Sequence, residues 1–224
     1  RRRRTSFGGQ RARLSQGSPG LSPTPRIGIF AKAPIAGYAK TRLNATLGAA
    51  GAAALQAALT RRTLRTAAAS GAQVWLWSAG DACHPFWAAL AREGAPPPVA
   101  QQGDDLGARM AHALAVMHAG QHPAVVIGTD CPALTADHLR SAVAALAEHD
   151  HVFVPAEDGG YVLVGTRRPD PALFSAIDWG TDRVMAQTRA RLRALGCTAC
   201  ELPMLWDLDD AADWHRARAE GLID

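Results

Sequence analysis

The first 80 residues contain no aspartate and no glutamate, although they hold 13 of the chain's 24 lysines and arginines. All 20 acidic residues come later, which leaves residues 81–224 with a formal balance of −9. A basic portion facing an acidic one suits an anionic ligand, with a metal ion able to sit between the two. Cysteine is scarce as well. Cys83, Cys131, Cys197 and Cys200 are too few and too scattered for a disulfide framework, and they fit a reducing cytoplasm. No run approaches the roughly 18 consecutive apolar residues of a membrane span, so no membrane partner is expected. A Ser/His/Asp nucleophile elbow is also missing.

With 224 residues the chain is long enough for one sizeable core. Residues 1–25 (RRRRTSFGGQRARLSQGSPGLSPTP) read as a disordered basic arm with almost nothing to bury, and residues 26–224 as a single domain. The arm lacks the apolar core of a secretory signal. Without residues 1–26 the chain carries 17 basic and 20 acidic residues. The basic balance therefore belongs to the arm, and no nucleic-acid partner is expected.

Strands and helices alternate along the domain. RIGIFA (26–31) and VWLWS (74–78) read as strands, PAVVIGTD (123–130) as a buried parallel strand, and HVFVPAEDGGYVLVG (151–165) as two strands around a Gly-Gly turn. Helices are expected over 41–69 with a break at Gly48 or Gly51, over 84–93, from a cap at Asp104 to about 119, over 135–148, over 181–195 and over 210–219. This order predicts an α/β three-layer sandwich with a mostly parallel sheet. Ligands of such sheets bind beyond the carboxyl ends of the strands, where the charged and glycine-rich stretches gather.

One of those stretches, FAKAPIAGYAKTRL (30–43), holds three cations and no acid. It is not a Walker A loop, because the position five before Gly37 is Lys32 and Pro34 removes an N–H. Lys40 and Arg42 read as lying in the first helical turn, where the dipole disfavours cations, with Lys32 across the loop. That placement makes sense if the loop receives phosphate. A solvated basic turn is the plain alternative.

Four further stretches carry acids and glycines to strand ends: QQGDDLGARM (101–110), GTDCPALT (128–135), AEDGGYVLVG (156–165) and WDLDDAADW (206–214). Together with the cationic loop they resemble GT-A-fold transferases, the nucleotide-diphospho-sugar transferase-like superfamily, from about Arg26 to Trp214. Within it the chain is most similar to the bacterial radical-SAM/selenodomain-associated, or arsenosugar-biosynthesis, glycosyltransferases. More distantly it resembles phospholactate guanylyltransferase and the molybdenum-cofactor nucleotidyltransferases.

The resemblance implies roles. Lys32, Gly37, Lys40 and Arg42 would hold a nucleotide's phosphates. Asp130 would hold Mg²⁺ or Mn²⁺, hard ions that suit carboxylate oxygen and neutralise a leaving diphosphate. Asp209 matches the aspartate before Thr-Pro in the relatives' D-x-D-T-P segment and would be a second metal ligand, although Asp210 and Ala211 replace Thr and Pro here. Gly103, Asp105 and Arg109 match a Q-x-G-x-D-L-G-x-R-M segment at the nucleotide. Asp158, Gly159 and Gly160 match D-G-G-Y-x-L-x-G, with Asp158 beside Lys40 and Asp130 as a catalytic candidate. The bland readings are an Asx-turn for Asp130, a helix cap for Asp210 and a plain hairpin for the glycines.

Glycosyl transfer from a nucleotide-sugar to a small acceptor leads. Nucleotidyl transfer from a nucleoside triphosphate with release of pyrophosphate is the runner-up, because a lone Asp130 followed by Pro132 departs from Asp-x-Asp. A non-catalytic nucleotide-binding domain is the alternative of another class. Cys197 and Cys200 are set aside as a metal pair, since residues three apart on a strand face opposite ways. His118 and His122 read as loop residues.

Overall fold

A computed structural model describes residues 23–223. The basic arm proposed for residues 1–25 lies almost wholly outside the described residues. In chain order the elements are β1 (Arg26–Lys32), α1 (Asn44–Ala69), β2 (Gln73–Ala79), α2 (Pro85–Arg92), β3 (Pro98–Ala100), α3 (Leu106–His118) and β4 (Ala124–Ile127). There follow α4 (Ala136–Ala145), β5 (His151–Pro155), β6 (Tyr161–Thr166), α5 (Val184–Leu195), β7 (Ala199–Glu201) and α6 (Ala211–Ala219).

The strands form one sheet in the order β3-β2-β1-β4-β6-β5-β7. β6 pairs antiparallel with both β4 and β5, and every other pairing is parallel. β6 runs backward because a five-residue turn joins it to β5, and a parallel partner would need a crossover. β1 and β4 alternate sides as buried strands must. Ile27, Ile29, Val125 and Ile127 join Ala67, Phe86, Leu90 and Leu139 in a core beneath α1, α2 and α4. Trp77, Val126, Phe153 and Val164 meet Met110, Leu114, Met117, Met185 and Leu192 of α3 and α5 on the opposite face. Gly28 is needed on that second face: a Cβ there would lie 2.7 Å from Met117 Cε and 2.9 Å from Trp77 Cδ1.

Side-chain caps explain where four of the six described helices start. His84, Thr135 and Asp210 cap α2, α4 and α6 through side-chain acceptors. Three expectations need correction. Asp105, not Asp104, caps α3, its Oδ1 accepting from Ala108 N at 2.7 Å. His118 closes α3 rather than lying in a loop. Lys40 is not in the first turn of α1. It adopts a left-handed conformation (φ 48°, ψ 46°) before a short 3₁₀ turn over Thr41–Leu43, and α1 begins at Asn44 and kinks at Gly48. Cys197 and Cys200 do fall on opposite faces of the sheet.

Candidate active site

At the carboxyl ends of β1, β2 and β4 a cavity of about 440 Å³ opens beside β6. Lys32, Gln101, Arg109, Asp130, Asp158, Tyr161, Asp207 and Asp209 are among its walls. A second cavity of about 380 Å³ adjoins it, sharing Asp158, Tyr161, Asp207 and Asp209 and adding Arg42, Gly160, Trp179 and Thr181.

The acidic wall is assembled from two loops. Asp130 follows β4, and α1 braces that loop: Gln56 Nε2 donates to Thr129 Oγ1 at 3.0 Å, and Arg62 Nε to the Pro132 carbonyl at 2.9 Å. The segment 205–209 runs alongside. Leu205 N donates to Pro155 O and Leu208 N to Asp130 O at 2.8 Å. Being extended, this segment alternates. Trp206 and Leu208 bury themselves with Leu43 and Ala217, which leaves Asp207 and Asp209 to the cavity.

Lys40 lies behind these carboxylates rather than lining either cavity. Its side chain is only 5% exposed, with Nζ 2.7 Å from Asp130 Oδ1 and 3.2 Å from Asp209 Oδ1. It also donates to the Leu208 carbonyl. Burial pulls the Lys40 pKa down, yet the two aspartates outweigh it and hold the group above its ordinary value. The contact with Asp130 is a close ion pair, and Lys40 is the cation this buried Oδ1 faces. Asp207 was absent from the sequence-based candidates. Burial, and then the carboxylates of Asp130, Asp158 and Asp209, push its pKa up to about 7. The strict alternation in Trp-Asp-Leu-Asp was the signal that could have found it.

Other candidates divide. Lys32 and Arg109 line the larger cavity, and Arg42 and Gly160 the smaller. Arg109 is steadied by its Nε donating to Gly103 O at 3.0 Å. Asp158 borders both cavities, with Oδ1 accepting from Gly160 N at 2.8 Å. Gly37, Gly103, Asp105 and Gly159, expected at the nucleotide, line neither cavity. Asp105 serves as the α3 cap, and Gly37 and Gly103 take positive φ in turns. Gly159 (φ 87°) packs so tightly that a Cβ would lie 2.1 Å from Asp182 O.

The donors available to a cation are hard carboxylate oxygens, which fit Mg²⁺ or Mn²⁺. The destabilised Asp207 charge fits it too. As the chain is folded, Lys40 already supplies a positive charge between Asp130 and Asp209. Among the described residues no three His, Cys, Asp or Glu side chains are arranged to hold a metal as they stand.

A model of the bacterial family described as "Uncharacterized protein conserved in bacteria (DUF2064)" matches residues 63–181. The chain belongs to this family. Among related proteins, the phosphoenolpyruvate guanylyltransferase of Chloroflexus aggregans is 30% identical over 183 residues, covering 78% of this chain and 88% of its own length. A solved structure from Desulfovibrio desulfuricans G20, described as a nucleotide-diphospho-sugar transferase, is 31% identical. It has a TM-score of 0.78 and covers 86% of this chain and 85% of its own. A nucleotidyl transferase from Methanothermobacter thermautotroptrophicus, 13% identical with a TM-score of 0.59, covers 88% of this chain and 98% of its own and shares the fold. This member of DUF2064 thus has the nucleotide-diphospho-sugar transferase-like α/β fold and is a transferase, like nucleotidyltransferases and nucleotide-diphospho-sugar transferases. No described helix is long and apolar enough to cross a membrane.

Proposed function

We propose that the protein transfers a nucleotidyl group, guanylyl foremost, from a nucleoside triphosphate to a small-molecule acceptor. One observation carries the reading: a nearly inaccessible lysine wedged between two half-exposed aspartates at the sheet's carboxyl edge. Such a cluster is made to exchange charge with a polyphosphate and its counterion. The guanylyltransferase relative supports this choice, which the sequence alone ranks second.

An oxygen of the acceptor attacks the α-phosphorus, a bond to that oxygen forms, and the bond to the departing diphosphate breaks. Lys32 and Arg42 stand at the two cavities to take up phosphate charge, with Lys40 behind them. Asp130 and Asp209, with Asp207 beside them, would hold Mg²⁺ or Mn²⁺, which when bound neutralises charge building on the leaving group. Asp158 keeps Oδ2 outside its turn and orients the acceptor where the two cavities meet. The proposed setting is the cytoplasm, where the four free cysteines stay reduced.

Glycosyl transfer from a nucleotide-sugar is the second reading. The D. desulfuricans relative and the likeness to radical-SAM-associated glycosyltransferases favour it. Incubation with Mn²⁺ and GTP plus small phosphorylated acceptors, against nucleotide-sugars plus the same acceptors, separates the two. Acceptor-dependent pyrophosphate release is expected. Release of a nucleoside diphosphate from the sugar donor, with no pyrophosphate from GTP, would reverse the order.

A further inference from the structure

A third cavity, of about 390 Å³, opens between α1 and α2. It lies toward the amino ends of the strands, away from the candidate active site: Val74 stands near the start of β2, and Gly94, Ala95 and Pro96 lead into β3. It shares no wall residue with either cavity at the carboxyl ends. Its volume falls at the lower end of the range that holds small ligands, roughly 300–1,000 Å³.

The cavity has an apolar floor and a basic rim. Leu90 of α2 is buried, while Leu64, Val74 and Ala95 pack on the core and keep part of their surface uncovered. At the rim α1 places Arg61 and Arg65 one turn apart, on the same side of the helix. Arg61 is already committed. Its Nε and Nη2 each donate at 2.8 Å to one oxygen of Glu93, and its guanidinium lies 5.2 Å from the centre of the Phe86 ring. Among the described residues Arg65 forms no ion pair of its own. The Arg61 guanidinium holds the Glu93 carboxyl below its ordinary range, and the charges of Arg65 and Arg92 add to that from farther off. One acid therefore faces two arginines across uncovered hydrocarbon.

A neutral apolar ligand would leave Arg65 without a partner, and a bare anion such as phosphate would leave the floor wet. A carboxylate on an apolar body satisfies both, because the guanidinium fork matches a carboxylate with two parallel bonds and the hydrocarbon leaves water. We propose that this cavity binds a small amphipathic monocarboxylate, with its charge on Arg65 and its aliphatic or aromatic part on Leu64, Val74, Leu90 and Ala95. Such an occupant would rest on the helix that braces the Asp130 loop through Gln56 and Arg62.

The test is calorimetric titration of octanoate and 3-phenylpropionate into the wild-type chain, with octanamide and acetate as controls that lack the charge or the apolar body. At least one acid is expected to bind saturably, at least roughly tenfold more tightly than either control. Which of the two acids binds tells an aliphatic ligand from an aromatic one. Arg65→Met weakens that binding at least roughly tenfold. Ala68→Trp keeps both arginines, fills the cavity from α1 and abolishes binding. Both positions are exposed, so both variants should unfold thermally close to wild type. Absence of binding by either acid overturns the proposal, as does octanamide or acetate binding as tightly, or either variant binding like wild type. A wild-type dimer that Ala68→Trp disrupts in sedimentation also overturns it, since a second copy of the chain would then cover the cavity.

Discussion

Replacing Lys40 with methionine removes one buried charge and keeps the length of the stem. Three contacts go at once: the donation to the Leu208 carbonyl and the ion pairs with Asp130 and Asp209. The lost hydrogen bond costs about 1 kcal/mol. A fully buried pair broken on one side costs about 3–5 kcal/mol, but these aspartates are 44% and 43% exposed, so water screens much of the repulsion left behind. A destabilisation of about 2–3 kcal/mol follows. For a chain of this size that is a fall in Tm of roughly 5–10 °C. Urea and thermal unfolding in EDTA near pH 7.5 measure it. Addition of Mn²⁺ should then stabilise Lys40→Met more than wild type, because the carboxylates no longer have an ammonium to exchange. A variant within about 0.5 kcal/mol of wild type, the scatter of ordinary surface changes, would refute the idea that Lys40 is their counterion. Equal stabilisation of both proteins by Mn²⁺ would refute the shared site.

Asp105→Ala should lose about 1 kcal/mol of stability through the α3 cap while leaving kcat within roughly twofold. A large loss of turnover with unchanged stability would return Asp105 to the nucleotide. Gly159→Ala should destabilise by about 2–3 kcal/mol or more, since it combines positive φ with a collision against Asp182 O, and denaturant titration reports it. His151 is buried with neither ring nitrogen bonded to the protein. Burial lowers its pKa, Arg168 adds to that, and Asp150 and Asp170 oppose it. Its folded pKa thus lies below the ordinary value of 6.5. The unfolded chain takes up the proton first as pH falls, and stability present above about pH 6.5 is lost as pH falls through the folded pKa. His151→Phe should flatten that acid limb between pH 7 and 5, and parallel urea midpoints for the two proteins would contradict it.

The architecture was legible because each strand carries its own pattern. PAVVIG reads as a strand buried on both sides, and the Gly-Gly turn after Val154 announces the hairpin that turns β6 around. Lys32, Arg42, Asp130 and Asp158 were also readable as residues at strand ends, Arg109 and Asp209 only through the family resemblance, and all six do converge on two adjoining cavities. Their partners were harder to see. Nothing in FAKAPIAGYAKTRL says that Lys40 leaves the loop surface and dives under Leu208, because that contact spans 168 residues. Asp105 and Gly159 share stretches with cavity-lining residues, and only coordinates show that one caps α3 and the other packs against Asp182.

In the proposed site a polyphosphate is held jointly by the cationic loop and by a divalent ion on Asp130. Calorimetric titration of GTP into wild type and Asp130→Asn, each in Mn²⁺ and in EDTA, tests it most directly. Wild-type binding should weaken at least roughly tenfold in EDTA, and the Asp130→Asn variant should bind weakly in either buffer. GTP binding of equal strength in all four titrations would contradict it.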